Sequence, residues 1–272
     1  MKPLQVFAVI IQLVINFPSF VLNRQHMKKR AKLRHQLQAT VKSMKKSPDP
    51  DTIHAFRVSV KKLRAYLRLL SQGKKKLSLP AKIEKLYHRA GELRNIELYA
   101  HTLTEMFAGS EKPTGYFFLL EAERKKRKKK FQTALKNLKI SRIKKMLPHG
   151  DHTSEGPGSV QAFTKTKQRQ VNEIVHKGLT TDTDFHNIRK YMKDMMYNGG
   201  EPAAHKQETK EITDELGILM DRSVALSFFR KSWLQKISVA ERKKMEQVHL
   251  QWEAEKNNME KKLGGELEKM TQ

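Results

Sequence analysis

The sequence predicts an all-α protein with about four helices on each side of a short linker. Three observations support this. Apolar residues recur at spacings of three and four from Met27 onward, and no segment alternates with the period of two that a half-buried strand requires. The stretch 148–158 (PHGDHTSEGPG) collects Gly, Pro and small polar residues, as linkers do. A His-x-x-Arg-x-x-x-Lys pattern occurs at 54–61 and again at 186–193, once on each side of that linker.

The elements follow in order. Residues 27–46 are basic and periodic. Ser47-Pro48-Asp49-Pro50 is a turn, after which Asp51 or Thr52 is placed to cap a helix over 52–72 that ends near Gly73. Pro80 suits the first turn of the next helix, which runs to about Phe107. Gly109 to Gly115 breaks the chain before a long lysine-rich helix over 116–146. Beyond the linker, helices are expected over 159–178, 182–197, 204–231 and 237–262. Asn198-Gly199-Gly200-Glu201-Pro202 divides the second from the third, and Gly264-Gly265 ends the last.

Before all of these lies an apolar stretch, Leu4 to Leu22, long enough to reach the lower limit for a membrane span. Gln5, Gln12, Asn16 and Pro18 weaken it. It lacks the small residues of a signal-peptide cleavage site, and a basic cluster from Arg24 to Arg34 follows it. Residues 1–26 are read either as an anchor, whose positive flank keeps the body of the protein in the cytoplasm, or as an addition upstream of a true start at Met27.

Charge narrows the function. Lys and Arg number 55 against 28 Asp and Glu, a formal net charge of +27. Such an excess repels itself, so it points to a negative partner: nucleic acid, an anionic membrane surface or a phosphate polymer. There is no cysteine, which excludes disulfide frameworks, thiolate metal sites and cysteine nucleophiles. No phosphate-cradling glycine loop, nucleophile elbow or poised carboxylate pair is present, so the chain is expected to be no enzyme and to need no cofactor or metal.

Residues 53–70 sharpen this. Ile53, Phe56, Val60, Leu63, Leu67 and Leu70 form the apolar stripe of an amphipathic helix. Shifted by one residue, His54, Arg57, Lys61, Arg64 and Arg68 form a second stripe over an arc of roughly 80°, beside the first. A merely solvated face gains from mixed signs at i,i+4, whereas this row holds no acid and repels itself. Its geometry therefore suggests an anion. In the second half Phe185, Ile188, Met192 and Met195 are the apolar stripe, with His186, Arg189 and Lys193 offset from it. A further echo follows each copy: Gly91 with Asn95 four residues on, and Gly217 with Asp221. Two ordered echoes across a linker argue for an internal duplication.

The run His54-x-x-Arg57-Val58-x-x-x-Lys62 with Lys61, Leu63 and Arg64 resembles the signature of the CHAD family, the conserved histidine α-helical domain. The second His-x-x-Arg-x-x-x-Lys, Tyr197 and Leu216-Gly217 with Asp221 resemble its second half, so the likeness spans about residues 31–260. The resemblance implies two four-helix bundles related by a pseudo-twofold, here 27–147 and 159–272, forming one CHAD-like domain around a basic central groove or channel that binds inorganic polyphosphate. It assigns binding to His54, Arg57, Lys61, Lys62, Arg64, Arg68, His186, Arg189 and Lys193. Asp194 and Met196 depart from the family's pattern, where basic residues recur, and Asn95 stands where Asp is expected. A nucleic-acid-binding helical protein is the alternative function, with nucleic acid otherwise a competing ligand. A membrane partner is open through residues 4–22.

Other signals carry less. Arg124 to Lys130 (RKKRKKK) encircles its helix, so it divides between ligand-facing and solvated charge. Glu121-x-Glu123-x-Lys125 matches a signature of triphosphate tunnel enzymes, but residues two apart on a helix lie about 200° apart and cannot share a metal. His149 and His152 are expected as solvated linker residues. Trp233 and Trp252 fall at helical spacing and are expected in the core.

Overall fold

A computed structural model of the chain describes residues 28–72, 77–140, 143, 157–179, 181–199 and 206–271. The described residues are helical with no strand. Residues 28–46 form α1. Pro50–Leu70 is α2, Ala81–Met106 α3, Thr114–Lys136 α4, Pro157–His176 α5, Asp182–Asn198 α6 and Lys206–Leu226 α7, then a short α8 at Lys231–Leu234 and a long α9 at Val239–Thr271. The apolar segment 4–22, and His149 and His152 of the expected linker, lie outside the described residues. No helix among the described residues is long and apolar enough to cross a membrane.

The helix that carries the basic row begins two residues earlier than expected. Asp49, not Asp51 or Thr52, caps α2: its carboxylate accepts from Thr52 N at 2.8 Å, and Pro50 takes the first helical position, where a missing N–H costs nothing. The apolar stripe of α2 is wholly buried, from Ile53 and Phe56 through Leu70. Thr181 opens α6 with a reciprocal capping box, donating and accepting with Asp184, and Gly199 at φ 73° closes it in the left-handed conformation glycine tolerates. α2 packs on both α3 and α6, α6 on α5 and α7, and α3 also meets α7. The two helices with the repeated motif are thus neighbours at the centre.

The apolar interior forms two clusters, and they ignore the linker. The first takes Leu37, Phe56, Leu63, Leu86 and Tyr99 from α1–α3, with Phe228, Trp233, Met245 and Trp252 from beyond the linker. The second gathers α5, α6, α7 and the end of α9, with Val171, Ile188, Met192, Leu216 and Leu267. This division explains three boundaries that differ from expectation. α4 stops at Lys136 because Leu138 turns back into the first cluster. The expected helix 204–231 ends at Leu226, and the chain bends so that Phe228 and Trp233 can both reach that cluster. α9 runs straight through Gly264-Gly265. Each glycine costs roughly 1 kcal/mol in a helix, but continuing buries Leu263 and Leu267, 1% and 0% exposed, worth about 1.5–3 kcal/mol apiece.

An aromatic knot joins the two sides. Tyr99 stacks on Phe228 at 4.8 Å between centroids and meets Trp252 edge-on at 5.8 Å. Tyr116 Oη donates to the Phe228 carbonyl at 3.1 Å and, in turn, pairs with Tyr99 Oη at 2.7 Å. Burial pushes the Tyr116 phenol up to about 12 and raises Tyr99 as well, so both stay neutral hydrogen-bonding groups. Tyr116→Phe strands the buried Tyr99 hydroxyl and removes one of the two donors to the Phe228 carbonyl, which keeps the Arg230 amide. It should lower unfolding free energy by about 1–3 kcal/mol in urea titration with the helical spectrum unchanged.

Candidate functional site

The site begins with how α2 and α6 are locked together. Arg68 Nε donates to Asp194 Oδ2 at 2.7 Å, and its Nη2 pairs with the other carboxylate oxygen. Asp194 is 1% exposed, so this is a charge held inside by a two-point ion pair. One turn on, Asn198 donates to the Ala65 carbonyl at 3.1 Å and accepts from Lys29 at 3.3 Å. The departure of Asp194 from the basic pattern therefore has a structural role. It ties the second half to the first.

With the helices so fixed, the two cationic rows meet. Lys61 lies among Arg57 of its own helix and Arg189 and Lys193 of α6. Arg57, Lys61 and Arg189 have no carboxylate within ion-pair distance among the described residues. Burial first, then the Arg189 and Arg57 charges, lower the Lys61 ammonium from the ordinary lysine range to about 8, against a smaller opposing pull from Asp221. His54 and His186 are also held below the usual imidazole range. Desolvation is the main cause for each, reinforced at His54 by Arg94, Lys61 and Arg57 and at His186 by Lys190, Arg189 and Lys61. His186 feeling Lys61 marks the meeting of the rows.

The two arginines sit in matching seats. Arg57 Nη1 donates to the Tyr87 carbonyl at 3.4 Å, four residues before Gly91, and a Cβ at Gly91 would collide with that nitrogen. Arg189 Nε donates to the Thr213 carbonyl at 3.1 Å, four residues before Gly217, where a Cβ would stand 2.9 Å from Arg189 Nη2. The glycines of the sequence echo are thus the floor on which each guanidinium rests. The other members of the echo converge too: Asn95 and Asp221 line one small cavity of about 160 Å³ between α3 and α7.

The remaining residues of the row are differently employed. Arg64 is paired with Glu84 through both Nε, at 3.2 Å, and Nη2, and lies over the Tyr87 ring at 4.3 Å. Together with Arg68 it is engaged by an internal carboxylate. Lys193 contacts Asp214 at 3.1 Å, and Lys62 stands 6.0 Å from the centre of the Tyr197 ring. The structure therefore brings His54, Arg57, Lys61, His186, Arg189 and Lys193 together and turns Arg64 and Arg68 toward holding helices. Arg94 acts electrostatically on both His54 and Arg57. The sequence reading did not single it out; its place between Gly91 and Asn95, about one turn from the glycine, is the signal the sequence carries. Glu121 and Glu123 pair with Arg124 and Arg127 of their own helix, at 3.2 and 2.9 Å.

A half-buried ammonium among cations weakens the fold. Its folded-state value lies below the ordinary one, so the cost is full below about 8 and fades as pH rises toward 10.5. Lys61→Met should raise unfolding free energy at pH 7 by about 1–3 kcal/mol. The gain over the parent should shrink between pH 8 and 10.5, read by denaturant melts across that range.

Comparison with known proteins identifies the family and the fold. A CHAD domain profile matches residues 30–199. The fold is similar to the crystal structure of the CHAD domain from the plant Ricinus communis, with a TM-score of 0.52 at 16% identity, covering 86% of this chain and 82% of that one. No curated protein matches the sequence. The chain belongs to the CHAD domain family.

Proposed function

We propose that this protein binds inorganic polyphosphate across the α2–α6 crossing and performs no chemistry on it. The carrying observation is the gathering of Arg57, Lys61 and Arg189, without carboxylates in ion-pair distance among the described residues, between His54 on one side and His186 and Lys193 on the other. Membership of a family whose resemblance implied polyphosphate supports the same ligand. Arginine offers a planar fork to two phosphate oxygens, while lysine acts as a point charge, so the set suits a flexible chain carrying about one charge per phosphate. Glu84, Asp194 and Asp214 each face a cation, which leaves them stabilising the site rather than poised for acid–base work. The basic cluster from Arg24 to Arg34, which follows the apolar segment, favours a cytoplasmic place for this binding.

The main test is titration of the protein with long-chain polyphosphate at two salt concentrations, with duplex and single-stranded DNA as competitors. Polyphosphate affinity should fall steeply with salt as counterions return to the polymer. Arg57→Ala with Lys61→Ala should weaken it by roughly 10²-fold or more, as expected for two charge-assisted contacts of about 1.5–3 kcal/mol each. DNA competing charge for charge, with the double variant unaffected, would overturn the proposal.

Two finer outcomes are expected. Gly91→Ala should leave the melting temperature near that of the parent, since alanine's better helix propensity offsets the local shift, yet weaken polyphosphate binding by displacing the Arg57 guanidinium. Affinity should also rise as pH falls from 8 to 5.5. Both imidazoles are lowered in the free protein, and phosphate raises them again, so binding takes up protons. His54→Gln with His186→Gln should flatten that profile below about pH 7, where Lys61 is already charged.

A further inference from the structure

A second basic concavity lies on the other side of α3. Lys82, Lys85 and Arg89 line it from α3, Lys129 and Lys130 from α4, and the buried Ala134 helps form its lining; its volume is about 560 Å³. The three α3 residues follow an i, i+3, i+7 spacing. Lys85 is two positions from Tyr87, and Arg89 two from both Tyr87 and Gly91, the residues that receive Arg57, so each lies about 200° around the helix from them. α3 itself stands between this groove and the α2–α6 site.

No carboxylate among the described residues lines the groove. Arg89 is paired with the nearby Glu92 at 2.7 Å, but the four lysines make no ion pair among the described residues. The contrast with α9 is informative. There Lys256 pairs with Glu260 and Lys262 with Glu266 at i,i+4, the mixed-sign pattern of a face that only needs solubility. The α3–α4 groove instead concentrates one sign in a concave place, where charges reinforce one another's field. It lies between the start of α3, which has no side-chain cap, and the last turns of α4. The opposite helix ends contribute about half a charge each and nearly cancel, so the side chains decide the potential.

We propose that this groove is a second phosphate site, taking a short run of phosphoryl groups independently of the α2–α6 row. Four lysines and one partly neutralised arginine recognise charge density more than a fixed geometry, which fits a compact, multiply charged segment of a phosphate chain. The identity of the ligand rests on the polyphosphate reading; the existence of the site does not. A polymer long enough to pass around α3 would engage both sites and gain avidity without new contacts.

Tripolyphosphate is the probe, too short to depend on bridging, followed by calorimetric titration. The parent should show two sites per chain. Lys85→Gln/Lys129→Gln/Lys130→Gln should lose one of them, its affinity falling by about tenfold or more for three screened pairs. Arg57→Gln/Lys61→Gln should keep the groove site. A control that removes equal charge elsewhere, Lys177→Gln/Lys236→Gln/Lys261→Gln, should keep both, with all variants melting as cooperatively as the parent. Unchanged stoichiometry and affinity in the groove variant, or equal losses in the control, would overturn the second site. Loss in the groove variant beside an unaffected row variant would uphold the groove and sink the α2–α6 assignment instead.

Discussion

The Arg68–Asp194 ion pair is the contact on which the rest of this site depends. It holds α2 against α6 across 126 positions of sequence, with the Asn198–Ala65 hydrogen bond one turn away. That crossing sets Lys61 beside Arg189 and His186 beside Lys61. A buried carboxylate with a two-point partner is weak evidence for net stability, because desolvation offsets much of the attraction. It is better understood as fixing register. Any slip of α2 along α6 leaves Asp194 buried and unpaired, which costs several kcal/mol.

The fold then accepts a standing electrostatic cost at the point it has fixed. Like charges gathered at a half-buried site lower the Lys61 ammonium, hold both imidazoles low and leave three cations without ion-paired carboxylates among the described residues. Arg64 and Arg68, further along the same stripe, show that the chain can supply acids where it needs them. At Lys61 the nearest acid that acts, Asp221, does so from beyond ion-pair distance among the described residues. The aromatic knot of Tyr99, Tyr116 and Trp252 and the two apolar clusters provide the stability that such a site consumes. An anion reverses the balance by turning mutual repulsion into shared attraction.

Much of this was legible in the sequence because it is periodic. The apolar stripe of α2 and the offset basic row follow from spacing alone, and the glycine echo marked where α3 and α7 allow close approach. What escaped is what depends on pairing across the chain. Nothing local to Asp194 announces Arg68, so a residue that departs from the family's basic pattern proved to tie α6 to α2. Nothing local to Arg64 announces Glu84, so a row that looks uniform divides into a part that holds helices and a part left to a ligand. The helix boundaries that differed, at Lys136, Leu226 and Gly264-Gly265, are those set by which cluster a flanking side chain must reach. Tertiary burial there outweighs the local preference for a break.

The most direct test of the account is proton linkage at Lys61. Calorimetric titration with polyphosphate near pH 8.5, in two buffers of different ionisation enthalpy, reads the protons taken up on binding. If the ammonium is depressed by its cationic neighbours and relieved by phosphate, the parent takes up a substantial fraction of a proton there, and Lys61→Met takes up much less. Equal uptake in both proteins, or none in the parent, would contradict the claim that the crossing of α2 and α6 gathers charge for an anion to neutralise.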